Sequence, residues 1–173
     1  RDIGVTGVQT CALPICFWDP IGMLREADQA RFDRLRYTEV KHGRVAMLAF
    51  VGNLVTRAGI HLPGNIDFDG DSFDSYPDGW EGLMAIPDNG VAQIIYFVGF
   101  LEACVLKDIP GTGNEFPGDL RNGFDYGWDK WDDETKLQKR GIELNNGRAA
   151  MMGILGLMVH EQLHTDLPIV GQM

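Results

Sequence analysis

A nine-residue pattern occurs twice in this chain, and it limits the possible folds more than any other feature. Glu39-Val-Lys-His42-Gly-Arg44-Val-Ala-Met47 reappears as Glu143-Leu-Asn-Asn146-Gly-Arg148-Ala-Ala-Met151, and Gly52 matches Gly156 in the same register. Both copies open an apolar helical stretch. Glu and the residue three later share one helical face. Gly43 and Gly147 remove a side chain where two helices would cross and so permit close approach. Each Arg falls on a different part of the helix surface from its own Glu. Crossing with pseudo-twofold symmetry would therefore bring Glu39 to Arg148 and Glu143 to Arg44. Inside a membrane such pairing matters, because an unpaired charge there costs about 2.5–3.5 kcal/mol or more.

Three apolar stretches, residues 45–55, 91–106 and 149–159, stand between polar segments. None reaches the ~18 uninterrupted apolar residues of a simple spanning helix. The first and third become long enough only with their charged leads, residues 28–44 and 132–148. The expected fold is an all-α membrane protein with three transmembrane helices at roughly 31–58, 89–107 and 133–164, the first and third crossed. Apart from Arg1 and Arg57, every Lys and Arg lies before the first apolar core or between the ends of the second and third. The opposite group, residues 59–90 and the C-terminus, holds Asp67, Asp69, Asp71, Asp74, Asp78, Glu81, Asp88, Glu161 and Asp166 and no cation. Three crossings would put these groups on opposite faces, as the positive-inside bias requires.

The connecting segments, rich in Gly, Pro, Asp and Asn, read as loops. Residues 1–16 do not match the rest: they carry neither a signal-peptide nor a transit-peptide pattern and are read as a non-native, adapter-derived segment. Residues 17–173 are expected to form a single domain. A formal charge of −10 argues against a nucleic-acid partner. Cys11, Cys16 and Cys104 have no disulfide or zinc spacing. No Ser/His/Asp set, P-loop or dinucleotide glycine pattern points to an enzyme.

A carboxylate held by a partner Arg keeps a lone pair for a metal. Magnesium prefers oxygen donors and imidazole accepts several metals. The available donors are Glu39, His42, Glu143 and Asn146, with Gln93 and Glu102 in the middle stretch and His160 late in the third. Donors of this kind spread over three helices suit separate magnesium porphyrins better than one haem iron.

The two Glu-x-x-(His/Asn)-Gly-Arg helices resemble the first and third spans of light-harvesting chlorophyll proteins. Phe32-Asp-Arg-Leu-Arg-Tyr37, Ile60-His-Leu-Pro-Gly64, Phe116-Pro-Gly-Asp119 and Met158-Val-His-Glu-Gln-Leu163 are most similar to the chlorophyll a/c antennae of diatoms, dinoflagellates and their relatives. The resemblance implies chlorophyll ligation by Glu39, His42, Glu102, Glu143, Asn146 and His160, each through magnesium, with Gln93 as a further binding residue and Arg44 and Arg148 as cross-helix partners. It implies chlorophyll a, chlorophyll c and xanthophylls of the fucoxanthin, peridinin or diadinoxanthin type. Phe17-Trp-Asp-Pro-Ile-Gly22 resembles a loop that seats a carotenoid end group, and Phe116 to Phe124 its symmetry mate. Carotenoids would lie against Ala46, Ala49, Gly52, Ala150, Gly153 and Gly156. The implied role is a photosynthetic antenna in the chloroplast thylakoid membrane, passing excitation to a photosystem I or II core, with neighbouring antenna subunits and thylakoid lipids as partners. A photoprotective quencher or a pigment-poor thylakoid assembly protein on the same scaffold is the alternative.

Simpler readings exist for single residues. Glu102 could snorkel to water, His160 could be interfacial, and Gln93 could bond a neighbouring helix. His61 and His164 are assigned no ligand role. Asp67-Phe-Asp69-Gly-Asp71 opens like a calcium loop, but Ser72 stands where such a loop needs Gly and Asp78 where it needs Glu.

Overall fold

The computed structural model describes residues 19–22, 24, 28–68, 70–109 and 111–163. The segment 1–16, Phe17 and Trp18 of the expected end-group loop, Asp69 and His164 lie outside the described residues. Among the residues described, four α-helices form: α1 (Gln29–Arg57), α2 (Gly79–Ala85), α3 (Asp88–Phe100) and α4 (Asp133–Gln162). A π turn, Leu101–Val105, continues α3. One isolated bridge, Asn65 with Ser72, is the nearest approach to sheet among the described residues. The helical class expected from the sequence therefore holds, with one helix more than the three expected.

Local chemistry sets the helix ends. Asp28 Oδ1 accepts the Arg31 N–H at 2.9 Å and caps α1. Asp133 and Glu134 fill the first turn of α4, where the helix dipole favours anions. After Arg57 the chain turns through Gly59 at φ 74°, whose N–H donates to Thr56 O. The extra helix, α2, sits within a segment dense in turn residues. The side chain of its N-cap residue Asp78 makes no capping bond; Glu161 Oε1 accepts the Trp80 N–H instead, at 2.6 Å. A tertiary contact thus completes a helix that local sequence does not advertise.

The chain divides into two compact units, Arg1–Arg44 with Asp108–Arg148, and Val45–Lys107 with Ala149–Met173. In the first, the leading halves of α1 and α4 meet at glycine. A Cβ on Gly43 would lie 2.9 Å from Gly147 Cα, and a Cβ on Gly147 would lie 2.9 Å from Gly43 Cα. The second holds the trailing halves, with α2 and α3. In it, Gly153 faces the Phe50 ring, 3.0 Å from where a Cβ would stand.

Ala46 and Leu157 are the buried hydrophobic residues among those described. Leu48, Met152 and Tyr96 are 77%, 71% and 80% exposed, and the apolar side chains of α3 point outward almost throughout. A water-soluble domain hides such groups, and contiguous exposed apolar surface marks an interaction face. Two charged residues, Asp119 and Glu161, are about as deeply buried as Ala46 and Leu157. No single described helix is both long and apolar enough to cross a membrane; Gly79–Ala85 with Asp88–Val105, bent by 105°, meets that test as a pair by length and composition.

Candidate functional site

The repeated motifs converge in the first unit. Arg44 Nε donates to Glu143 Oε1 at 2.6 Å, and Arg148 Nε donates to Glu39 Oε1 at 2.7 Å. Each pair joins α1 to α4 on either side of the Gly43–Gly147 contact. All four side chains are part-buried, which strengthens the attraction over that of an exposed pair.

The two copies are not equal. Glu39 Oε2 also accepts from Arg36 at 2.9 Å, one helical turn back. The residue in the same register of the second copy, Arg140, turns instead to Glu115 Oε2 at 2.6 Å. Arg44 makes a second bond, its Nη1 donating to the Gly118 carbonyl at 2.7 Å. Gly118 has φ 92°, a conformation that favours glycine, and a Cβ there would stand a close 3.3 Å from Val40 Cγ1.

His42 is exposed, and its Nδ1 lies 2.8 Å from the Thr38 carbonyl oxygen. A carbonyl can only accept, so Nδ1 is the donor here, and in the neutral ring Nε2 then carries the lone pair. That is how an imidazole ligand is oriented for a metal. Asn146 is likewise exposed, beside buried Gly147. Gln93 lies exposed on α3, Glu102 sits half-buried in the π turn, and His160 is half-buried near the end of α4. The structure thus brings Glu39, Arg44, Glu143 and Arg148 together, with His42 and Asn146 next to buried glycines. Gln93, Glu102 and His160 belong to the other unit.

Among the described residues no three His, Cys, Asp or Glu side chains group as a site for a bare metal ion. Asp67 Oδ1 is occupied by the N–H groups of Gly70 and Asp71, each at 3.2 Å. The donors stand singly, as they must if each supplies one ligand to a metal whose other ligands come with it.

Two features escape sequence reasoning. In the first unit, Glu115 gathers Trp128 Nε1 at 3.0 Å, Lys136 Nζ at 3.0 Å and Arg140. The Trp128 and Lys136 bonds hold its carboxyl below its usual range. Burial alone would raise Asp119, which is 2% exposed. The Arg121 side chain and the N–H groups of Glu115 and Arg121 outweigh this and lower it. These contacts join residues up to 25 apart, and no local pattern signals them. In the second unit, Glu161 is buried, paired with Arg57 at 3.3 Å. A signal exists here: the register that aligns the two motifs also aligns position 57 with position 161.

A family model described as chlorophyll A-B binding protein matches residues 6–162. A fucoxanthin-chlorophyll a-c binding protein of Trieres chinensis is 66% identical over 164 residues, covering 92% of this chain and 80% of the relative. Fucoxanthin-chlorophyll a-c binding protein E of Phaeodactylum tricornutum is 59% identical over 155 residues, covering 89% and 78%. Protein B of that name from Macrocystis pyrifera is 50% identical over 164 residues, covering 92% and 74%.

Proposed function

This chain belongs to the chlorophyll A-B binding protein family, and from that premise we propose that it is a light-harvesting antenna of the chloroplast thylakoid membrane. Its pigments are chlorophyll a, chlorophyll c and a fucoxanthin-type xanthophyll, as the names of its relatives indicate. The observation that carries this reading is the pair of Arg–Glu contacts astride the glycine crossing. They neutralise four charges where the apolar stretches of α1 and α4 begin, while carboxylate lone pairs remain for metal.

When bound, the chlorophylls and xanthophyll absorb light and pass excitation onward. The chain fixes them in place. His42 offers Nε2 because Thr38 holds Nδ1. Glu143 offers its second oxygen because Arg44 holds the first. Glu39 does so with both oxygens already bonded, and Asn146 offers its amide oxygen. Glu102 and His160 are ligands in the second unit, and Gln93 a further contact. Small residues of α1 and α4, among them Ala49 and Gly52, leave room for carotenoid. The role is one of holding and orienting, without turnover.

Three segments cross the membrane: α1, α3 with its π turn, and α4. At about 1.5 Å per residue, α1 is about 43 Å long and reaches across a ~30 Å hydrocarbon core. Its apolar half alone does not, so the Glu39–Arg44 segment lies in the membrane, neutralised by α4. The apolar exteriors then face lipid and pigment. Photosystem cores, neighbouring antenna subunits and thylakoid lipids are the partners. Residues 17–173 act as one pigment-binding domain. The test is refolding of the chain in detergent with chlorophyll a, chlorophyll c and fucoxanthin, followed by chromatography of the purified complex. Chlorophylls and xanthophyll in fixed ratio are expected; a folded, colourless protein would favour an assembly role.

A further inference from the structure

Glu161 is a buried carboxylate to which the antenna reading assigns nothing. Its Oε1 accepts the Trp80 N–H at 2.6 Å, and its Oε2 faces Arg57 Nη2 at 3.3 Å. Arg57 in turn donates from Nε to Asn53 Oδ1 at 2.9 Å. A line of hydrogen bonds therefore runs from α1 through α4 to the start of α2. Gly79 fits only as glycine: its φ is 73°, and a Cβ would stand 2.5 Å from Glu161 Oε1. Asp78, just before α2, lies 3.4 Å from His61 Nε2, whose Nδ1 is 2.9 Å from Asp74 Oδ1. The place where α2 begins is thus held by Glu161.

Behind α2 lies a groove of about 780 Å³, all of it within the second unit. Ala49 and Gly52 of α1, Ile154 of α4 and Trp80 and Leu83 of α2 give it apolar walls, and no atom lies within 4 Å of a Cβ built on Gly52. Asn53, Thr56 and His61 add polar groups. An apolar ring bearing oxygens fits that chemistry.

We propose that Glu161 is a positioning residue: its carboxylate, neutralised by Arg57, fixes the start of α2 and so holds Trp80 and Leu83 as the wall against which the oxygenated ring of a xanthophyll seats. The inference rests on the antenna reading for its ligand class. Replacing the carboxylate by an apolar group removes the acceptor of the Trp80 N–H and leaves Arg57 with Asn53 but no opposite charge. Retention of that xanthophyll should weaken about tenfold or more.

The experiment compares wild type, Glu161→Leu, Glu161→Gln and Gly79→Ala, each full chain refolded with chlorophyll a, chlorophyll c and fucoxanthin. Pigments are counted by chromatography after washing in detergent, and the induced circular dichroism of the carotenoid band is recorded. Glu161→Leu and Gly79→Ala should lose xanthophyll relative to chlorophyll and lose part of the carotenoid dichroism. Glu161→Gln, whose amide oxygen still accepts from Trp80, should retain both. If Glu161→Leu does not refold, Gly79→Ala against Glu161→Gln decides. Unchanged ratio and dichroism in the refolded disrupting variants would overturn the proposal. So would a parallel loss of chlorophyll and xanthophyll, which marks a general structural role. A folded wild type that takes up no pigment would instead defeat the antenna reading, and this inference with it.

Discussion

Arg44 and Arg148 occupy the same place in the two motifs, yet their surroundings give them different weight. Arg44 bonds Glu143 and the Gly118 carbonyl together. Arg148 serves Glu39, which keeps Arg36 when Arg148 is removed. Arg44→Leu should therefore cost more than Arg148→Leu, by roughly 1.5–3 kcal/mol less screening at these part-exposed sites. Thermal unfolding of the two pigmented variants followed by chlorophyll dichroism checks the order, and equal losses would refute it. Glu115 and Asp119 set a pH limit. Both are lowered in the folded chain from ordinary values of 4.5 and 3.8. Their stabilisation is complete above those values and is lost as pH falls through the lowered native ones. Hydrogen exchange in residues 111–131, corrected for its intrinsic pH dependence, should rise on acidification below about pH 4. Glu115→Gln should remove part of that rise.

At the scale of the helix, glycines that look alike in sequence play different parts. Gly43→Ala places a methyl 2.9 Å from the Gly147 backbone, which no side-chain rotation relieves. It should cost about 1–3 kcal/mol or force the helices apart. Gly141→Ala, in α4 and with nothing within 4 Å, should stabilise by about 0.5–1 kcal/mol through helix propensity. Melting temperatures moving in opposite directions would bear out the distinction. The crossing is legible in the sequence because a repeated motif carries its partner's position with it, and α1, α3 and α4 because apolar stretches mark them. α2 is not legible: Pro77, Asp78 and Gly79 read as a turn, and the carboxylate that completes the helix lies 81 residues away. The π turn around Glu102 has no sequence signal of this kind. Arg57 with Glu161 is open to inference from the repeat register, but charge alone groups Glu161 with the exposed acids.

Among the described residues many large apolar side chains are exposed, and three ion pairs, Arg44–Glu143, Arg148–Glu39 and Arg57–Glu161, join α1 to α4. In the proposed membrane arrangement, lipid and pigment replace water around Leu48, Met152 and the face of α3. Such a fold has little protein core to sustain it alone, so bound pigment contributes stability by linkage. Removing pigment should lower the melting temperature far more than any single substitution named above, which scanning calorimetry on pigmented and stripped protein would reveal. The most direct test concerns His42, whose ring is exposed and whose Nδ1 is fixed by Thr38. Chromatographic pigment counts on refolded His42→Val should show a single chlorophyll lost per chain, with xanthophyll and the other chlorophylls retained. A full chlorophyll complement in that variant would contradict the assignment of the repeated motif as a pigment-holding device.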